Sequence, residues 1–321
     1  MSDTTAHLRN QADYIVVGID GTSSRACLKP DGSNSHTYKF IRDFKGGTAV
    51  GINKQWYHGT SEVVFDGESE RIAQQALDFL TGSLRRKFPS MSINKMRPLE
   101  MFDVNICKQS EYYQQMYAEG RYAGNIHSPL KVPARVDASM KQQSLTIDDV
   151  KIILIGHSRG CLATTVLAKM LSPIVTVYFM GLYDSVDRNQ CLNSTVIENV
   201  KYAYHAMRND EMNSRGTFGH SSIKAGPGVE LTAKNFYTSH GGIGGDYISD
   251  PKRATITGDK SCIPQPKELT ITSSDGYSYT VDNTHPLTKR FGKPINEICE
   301  DGRTAADAFI RNGAKERGLP L

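Results

Sequence analysis

Hydrophobic and polar positions along this chain fall into two kinds of block. Short, nearly unbroken apolar runs read as buried strands, and longer stretches with apolar residues three and four apart read as helices. "DYIVVGIDGTSS" is a β-branched run closed by the polar turn Asp20-Gly21-Thr22. "GESERIAQQALDFLTGSL" sets Ile72, Ala76, Leu77, Phe79 and Leu80 on one helix face. A further strand is expected around residues 99–106. "DVKIILIG" predicts a fully buried strand, followed by a helix over residues 161–171 that Ser172-Pro173 closes. "IVTVYFMGLYDS" predicts another buried strand with Asp184 just past its end, and "ENVKYAYHAMRNDEM" predicts a helix or the start of one. "VELTAKNFYTSHGGIGGDY" reads as a strand entering a glycine-rich loop, and "KELTITSSDGYSYTVDN" as a hairpin turning at Ser-Asp-Gly. "DGRTAADAFIRNGAKERGL" predicts a closing amphipathic helix. Buried strands alternating with helices imply an α/β fold: a mainly parallel sheet with helices on both faces, finished by a β-hairpin and a helix. With no repeat and no linker-like tract, residues 13–321 are expected to form a single domain behind a flexible N-terminus of residues 1–12.

One turn carries chemistry. Gly156-His157-Ser158-Arg159-Gly160 fits G-x-S-x-G, placed between a strand and a helix. A serine at the tip of so tight a turn needs small neighbours two before and two after, because larger side chains would collide. A hydroxyl nucleophile also needs a base, and the base an orienting acid. In the order Ser, acid, His, the matching residues beyond strand ends are Asp184 and His240. Asp187 and Asp246 are rivals for the acid, the first in a loop and the second after the histidine in the chain. Among the other histidines, His157 projects elsewhere from the turn, His205 reads as a packed residue, and His220 and His285 lie in loops without a preceding strand. Two amide donors are needed for an oxyanion. Arg159, directly after the serine, is the first; Gly21 or Thr22, after the opening strand, is the second.

Composition narrows the partners. The 321 residues carry 38 Lys+Arg against 34 Asp+Glu with no long run of either sign, so nucleic acid is not an expected partner. Six scattered cysteines show no zinc spacing, and neither a metal ion nor another cofactor is expected. The opening "MSDTTAHLRNQADY" lacks the apolar stretch of a signal peptide, and no segment has the length of a membrane span. The expectation is a protein that is cytoplasmic as synthesised, its cysteines reduced, with delivery by a secretion apparatus left open.

With these motifs in hand, the chain resembles the α/β-hydrolase domain found in type VI secretion phospholipase effectors and in many bacterial and fungal proteins. That family opens on a strand ending in D-G-T, carries G-F-S-R-G-A at the elbow, then D-T-V, H-A-x-x-x-D-E and G-x-H-x-D-V-G-G-G. The corresponding stretches here are "IVVGIDGTSS", "GHSRGC", "GLYDSVD", "HAMRNDE" and "TSHGGIGGDY", in the same order. "WYHGT" and "AFIRNGAKERGLPL" resemble two further segments, so the likeness runs from Tyr14 to Leu319. His157 stands where the family has phenylalanine, Cys161 where it has alanine, Gly242 where it has aspartate, and Asn213 where it has arginine. The resemblance implies an α/β-hydrolase-like fold and a serine esterase or lipase with phospholipid substrates. It also implies Ser158 as nucleophile, Asp184 as acid and His240 as base.

The expected function is hydrolysis of carboxylic esters, with lipid or phospholipid acyl esters foremost, through an acyl-enzyme. The expected partners are therefore a small-molecule or lipid ester and, transiently, a membrane surface; no oligomeric state is implied. Residues 99–149 exceed an ordinary connection and hold Tyr112, Tyr113, Met116, Tyr117 and Tyr122, which suits a lid or insertion as well as a surface helix. A binding module on the same fold is the opposing reading, and thioesterase or peptidase activity the alternatives within enzymes.

Overall fold

The computed structural model describes residues 13–21, 35–46, 54–59, 67–88, 98–100, 131–133, 150–172, 174–186, 196–215, 218–246, 259–263, 268–272, 278–282 and 285–321. The expected flexible N-terminus, Thr22, Asp187 and nearly all of the expected lid lie outside them, as do Cys27, Cys107 and Cys191.

Six strands form the central sheet: β1 (Asp13–Ile19), β2 (Lys54–Tyr57), β5 (Val150–His157), β6 (Val177–Tyr183), β8 (Val200–Arg208) and β10 (Glu230–Phe236). Their order is β10-β8-β6-β5-β1-β2, and every neighbouring pair is parallel. The strands are apolar at successive positions because both faces are covered. Along β5, Ile152 and Leu154 enter one core layer while Ile153 and Ile155 enter the other. The first layer lies beneath α2 (Gly67–Lys87) and α3 (Arg159–Leu171). The second lies beneath α1 (His36–Asp43) and α6 (Ile295–Glu316). The expected α/β architecture with helices on both faces is thus present.

One departure from strict alternation matters. The β5–β6 register shifts so that Ile152 faces Val177 and Ile153 faces Phe179, which leaves Tyr178 as an extra residue. Tyr178 and Phe179 therefore both join the layer under α6. In that layer Phe179 stacks between Phe40 and Tyr204, at centroid distances of 6.3 and 5.6 Å.

The segment "ENVKYAYHAMRNDEM", expected to be helical, is instead strand β8, running between β6 and β10. Its Ala, Lys and Met are good helix formers, but Tyr204 and Ala206 share one core layer and Ala203 lies in the other. Tertiary burial on both faces overrode the local propensity. Elsewhere the differences are smaller. The helix expected from residue 161 begins at Arg159, the closing helix begins at Ile295, and α1 had no expectation at all. The predicted hairpin forms from β11 (Glu268–Thr272) and β12 (Ser278–Asp282), paired antiparallel. Of the strand expected at residues 99–106, the part described is β3 (Pro98–Glu100), which pairs antiparallel with β4 (Lys131–Pro133), and the two-residue strands β7 (Val196–Ile197) and β9 (Lys224–Ala225) form a short parallel pair. No helix among the described residues is long and apolar enough to cross a membrane.

The cysteines correct an expectation: Cys262 and Cys299 form a disulfide, and Cys161 is the one free cysteine among the described residues. The pair is 37 residues apart, too distant for any local spacing to reveal, and folding brings it together in a small cluster with Met212, Leu287, Ile295 and Ile298.

Chain order fixes where a site can form. The chain leaves β1 toward β2 on one side, then returns to lay β5 against the other side of β1. Connections diverge there, so a crevice opens above the carboxyl ends of β1 and β5. Replacing Phe179 by Ala should cost about 3–5 kcal/mol, since it leaves a hole between two stacked rings; urea unfolding measures it.

Candidate active site

Ser158 follows β5 directly, in the positive-φ backbone expected of such a turn (φ 55°, ψ −124°). Its N–H donates to Tyr183 O at 3.0 Å, and its carbonyl accepts from Cys161 N–H at 3.1 Å. The flanking glycines are sterically required. A Cβ on Gly156 would lie 2.6 Å from Cys161 Cα, and one on Gly160 2.1 Å from Ile19 O. Gly21, at the end of β1, comes equally close: a Cβ there would lie 2.6 Å from Ser158 Cβ. The two strand ends at the crevice thus meet at the serine.

Asp184 follows β6, also at positive φ (52°), and is fully buried. Its N–H donates to Ala206 O at 2.7 Å. Its Oδ2 accepts from Arg208 Nη1 at 2.7 Å and from His240 Nδ1 at 2.6 Å, while Oδ1 accepts from Arg208 N–H at 3.2 Å. His220 Nδ1 stands 3.5 Å from Oδ1, a long contact, and its Nε2 lies 3.2 Å from Asp210 Oδ1. Burial by itself would push the Asp184 carboxyl up. The contacts from His220 and His240 and the Arg208 charge outweigh it and hold the group well below the ordinary carboxylate range. In return Asp184 raises His220, against the opposing pull of burial.

His240 opens a single helical turn, α4 (His240–Ile243), just after β10. Its Nε2 lies 2.8 Å from Ser158 Oγ. With Nδ1–H donating to Asp184, Nε2 is left to accept the serine hydroxyl hydrogen. The three residues expected to cooperate, Ser158, Asp184 and His240, therefore form one continuous hydrogen-bonded line across the ends of β5, β6 and β10. Phe218 meets the His240 ring edge-on, with centroids 5.3 Å apart.

The turn that carries His240 is held by buried neutral histidines. His157 Nε2 lies 3.2 Å from His240 O, and His36 Nδ1 lies 2.9 Å from Ile243 O. Burial lowers His157 to about 3 and His36 to about 4. His205 is buried too, lowered by burial to about 4, and its Nε2 accepts Ser185 N–H at 3.0 Å. His205 is thus the packed, hydrogen-bonded residue expected, although it sits on a strand, whereas His157, expected to project elsewhere from the turn, packs its ring beside His240 with centroids 5.2 Å apart. His285 caps α5 (Pro286–Phe291) by accepting Leu287 N–H. Asp246 lies against Gly241, outside the hydrogen-bonded line.

Under the crevice, Asp20 is buried. It accepts from Ser35 Oγ at 2.8 and 2.9 Å and from Trp56 Nε1 at 2.6 Å, which ties the end of β1 to α1 and β2. Burial raises its carboxyl to about 6, against the lowering effect of those hydrogen bonds. Sequence reasoning passed over Ser35 and Trp56, which hold Asp20, and Arg208, which pairs with Asp184, and it set His220 aside as a loop histidine although the fold brings it to Asp184. Arg208 closes β8 at the same edge as the others, so a correct strand assignment for that segment would have exposed it.

No family model matches this chain, and no curated protein does. The pH dependence of stability follows from the buried groups. The three histidines, each depressed below the ordinary 6.5, contribute stability that is present above about 6.5 and lost as pH falls toward 4 and 3. Asp20 runs the other way, favouring the fold as pH falls from about 6 toward 3.8. Three groups outweigh one, so the midpoint of thermal unfolding should drop between pH 6.5 and 4, and a scan across that range checks it. A solved structure, of an uncharacterized protein from Pseudomonas aeruginosa, aligns with all of this chain and 48% of its own length, at 16% identity and a TM-score of 0.41; this chain spans about half the length of that protein.

Proposed function

We propose that the protein is a serine hydrolase that cleaves carboxylic esters through an acyl-enzyme, with Ser158 as nucleophile, His240 as base and Asp184 as the orienting acid. The observation that carries this reading is the unbroken line of 2.8 and 2.6 Å contacts from Ser158 Oγ through His240 to Asp184. His240 Nε2 takes the hydroxyl proton as Ser158 Oγ attacks the ester carbonyl. The imidazolium that forms is stabilised by Asp184, which the contacts from His220 and His240 and the Arg208 charge keep ionised. His240 then returns the proton to the leaving alkoxide, and the acyl group stays on Ser158. Water, deprotonated by the same histidine, releases the acid.

The developing oxyanion needs amide donors near Ser158. Arg159 N–H, at the start of α3, and the peptide of Gly21 are the proposed pair, with Gly21 favoured by its close approach to the serine. The helix that begins at Arg159 adds a favourable dipole for negative charge there. Lipid and phospholipid acyl esters are the proposed substrates, following the resemblance to phospholipase effector domains, and a transient membrane contact would accompany them.

A fluorophosphonate probe should label the wild type and not Ser158→Ala. With p-nitrophenyl esters and phospholipid vesicles as substrates, Ser158→Ala should lower kcat by at least about 10³-fold. Equal labelling of both proteins, or of neither, would overturn the proposal.

A further inference from the structure

His240 offers its imidazole to Ser158 and Asp184, but its main chain is held from another side. Its N–H donates to the hydroxyl of Ser214 at 2.8 Å. Ser214 has one hydroxyl hydrogen, and it goes to Asp259 Oδ2. The other Asp259 oxygen accepts from Ser261 N–H at 3.1 Å and Ser261 Oγ at 2.8 Å. Ser214 also reaches the acid, because its carbonyl accepts from Arg208 Nε at 2.8 Å, on the guanidinium that pairs with Asp184. One buried serine therefore joins the main chain of the base to the counter-ion of the acid.

The loop that supplies Asp259 is covalently fixed. Three residues on, Cys262 is bonded to Cys299 in α6, and both are buried, at 2% and 0% exposure. The same helix backs the segment that leads to the base: a Cβ on Gly302 would lie 2.4 Å from Tyr237 O. A hydroxyl accepts one N–H in a fixed direction only while its own hydrogen has somewhere to go. Asp259 supplies that acceptor, and the disulfide keeps Asp259 in place. Since proton transfer between Ser158 and His240 depends on a short fixed distance, a misplacement on the order of 1 Å costs about 10²-fold in rate.

We propose that Ser214 and Asp259 are positioning residues for His240, and that the Cys262–Cys299 disulfide couples hydrolysis to the thiol–disulfide state of the protein. Reduction by a dithiol breaks the S–S bond, forms two S–H groups and leaves the reductant as its own disulfide. The reduced protein loses the tether on the 259–263 loop and with it the fixed direction of the Ser214 hydroxyl. This inference rests on the hydrolase reading for its effect on rate.

The test uses the full chain and compares wild type, Ser214→Ala, Asp259→Ala, Asp259→Asn, and wild type treated with dithiothreitol until mass spectrometry shows both thiols free. Two quantities are read: kcat and KM on a p-nitrophenyl ester, and amide hydrogen exchange across residues 237–246. Asp259→Ala and Ser214→Ala should lower kcat by about tenfold or more with KM changed by less than about twofold, and His240 amide exchange should quicken by about tenfold. Asp259→Asn, whose amide oxygen still accepts from Ser214, should recover much of both, and dithiol treatment should move both in the direction of Asp259→Ala. Unchanged exchange and kcat in Asp259→Ala and Ser214→Ala would overturn the positioning role. Unchanged values in the reduced protein would overturn the coupling. Hydrogen exchange needs no substrate, so faster exchange in a protein whose wild type hydrolyses nothing supports the relay while sinking the hydrolase reading.

Discussion

A fully buried carboxylate at the end of β6 is the constraint around which this site is organised. An ionised group so placed is costly unless every lone pair is met, and breaking a buried pair is far more damaging than never building it. Asp184 is met by two groups of Arg208 and by His240, with His220 at the margin. Each comes from a different part of the chain, so the carboxylate forces β8, the segment after β10 and the loop at 218–220 into register with β6. Arg208 in turn donates to the carbonyls of Ser214, Arg215 and Gly219, which organises the intervening loop around its guanidinium. The order of the site is largely the order this charge imposes.

Sterics at the other side of the crevice complement that electrostatic demand. Gly21, Gly156 and Gly160 lie where a single methyl group would overlap backbone or the serine itself. Gly244 packs as tightly on the His157 ring, where a Cβ would lie 2.2 Å from Cε1. The buried neutral histidines fill the space these glycines leave and spend their hydrogen bonds on carbonyls of the turn carrying His240. They are bases by chemistry and fixtures by placement, which is why burial, rather than a charged partner, sets their protonation.

Much of this was legible in the chain. β5 and α3 were readable because a fully apolar strand running into G-x-S-x-G admits few other structures, and Asp184 and His240 followed from chain order and strand ends. β8 was misread because small alanines on both faces weaken the period-two signal while Lys, Met and Ala mimic a helix. That error hid Arg208, whose partner is 24 residues distant and is chosen by strand pairing alone. The links from Ser214 to Asp259 and from Cys262 to Cys299 span 45 and 37 residues and leave no local trace. The expectation of reduced cysteines, drawn from the opening residues, pointed away from the second of them.

The Cys262–Cys299 bond also makes a closed covalent ring of everything between its ends, the β11–β12 hairpin and α5 included. Peptide-bond scission anywhere inside that ring leaves a single molecule, because each new end remains attached through sulfur. A protease acting on this stretch of an oxidised molecule would open a circle without releasing a fragment, and α6 would stay joined to the rest of the chain.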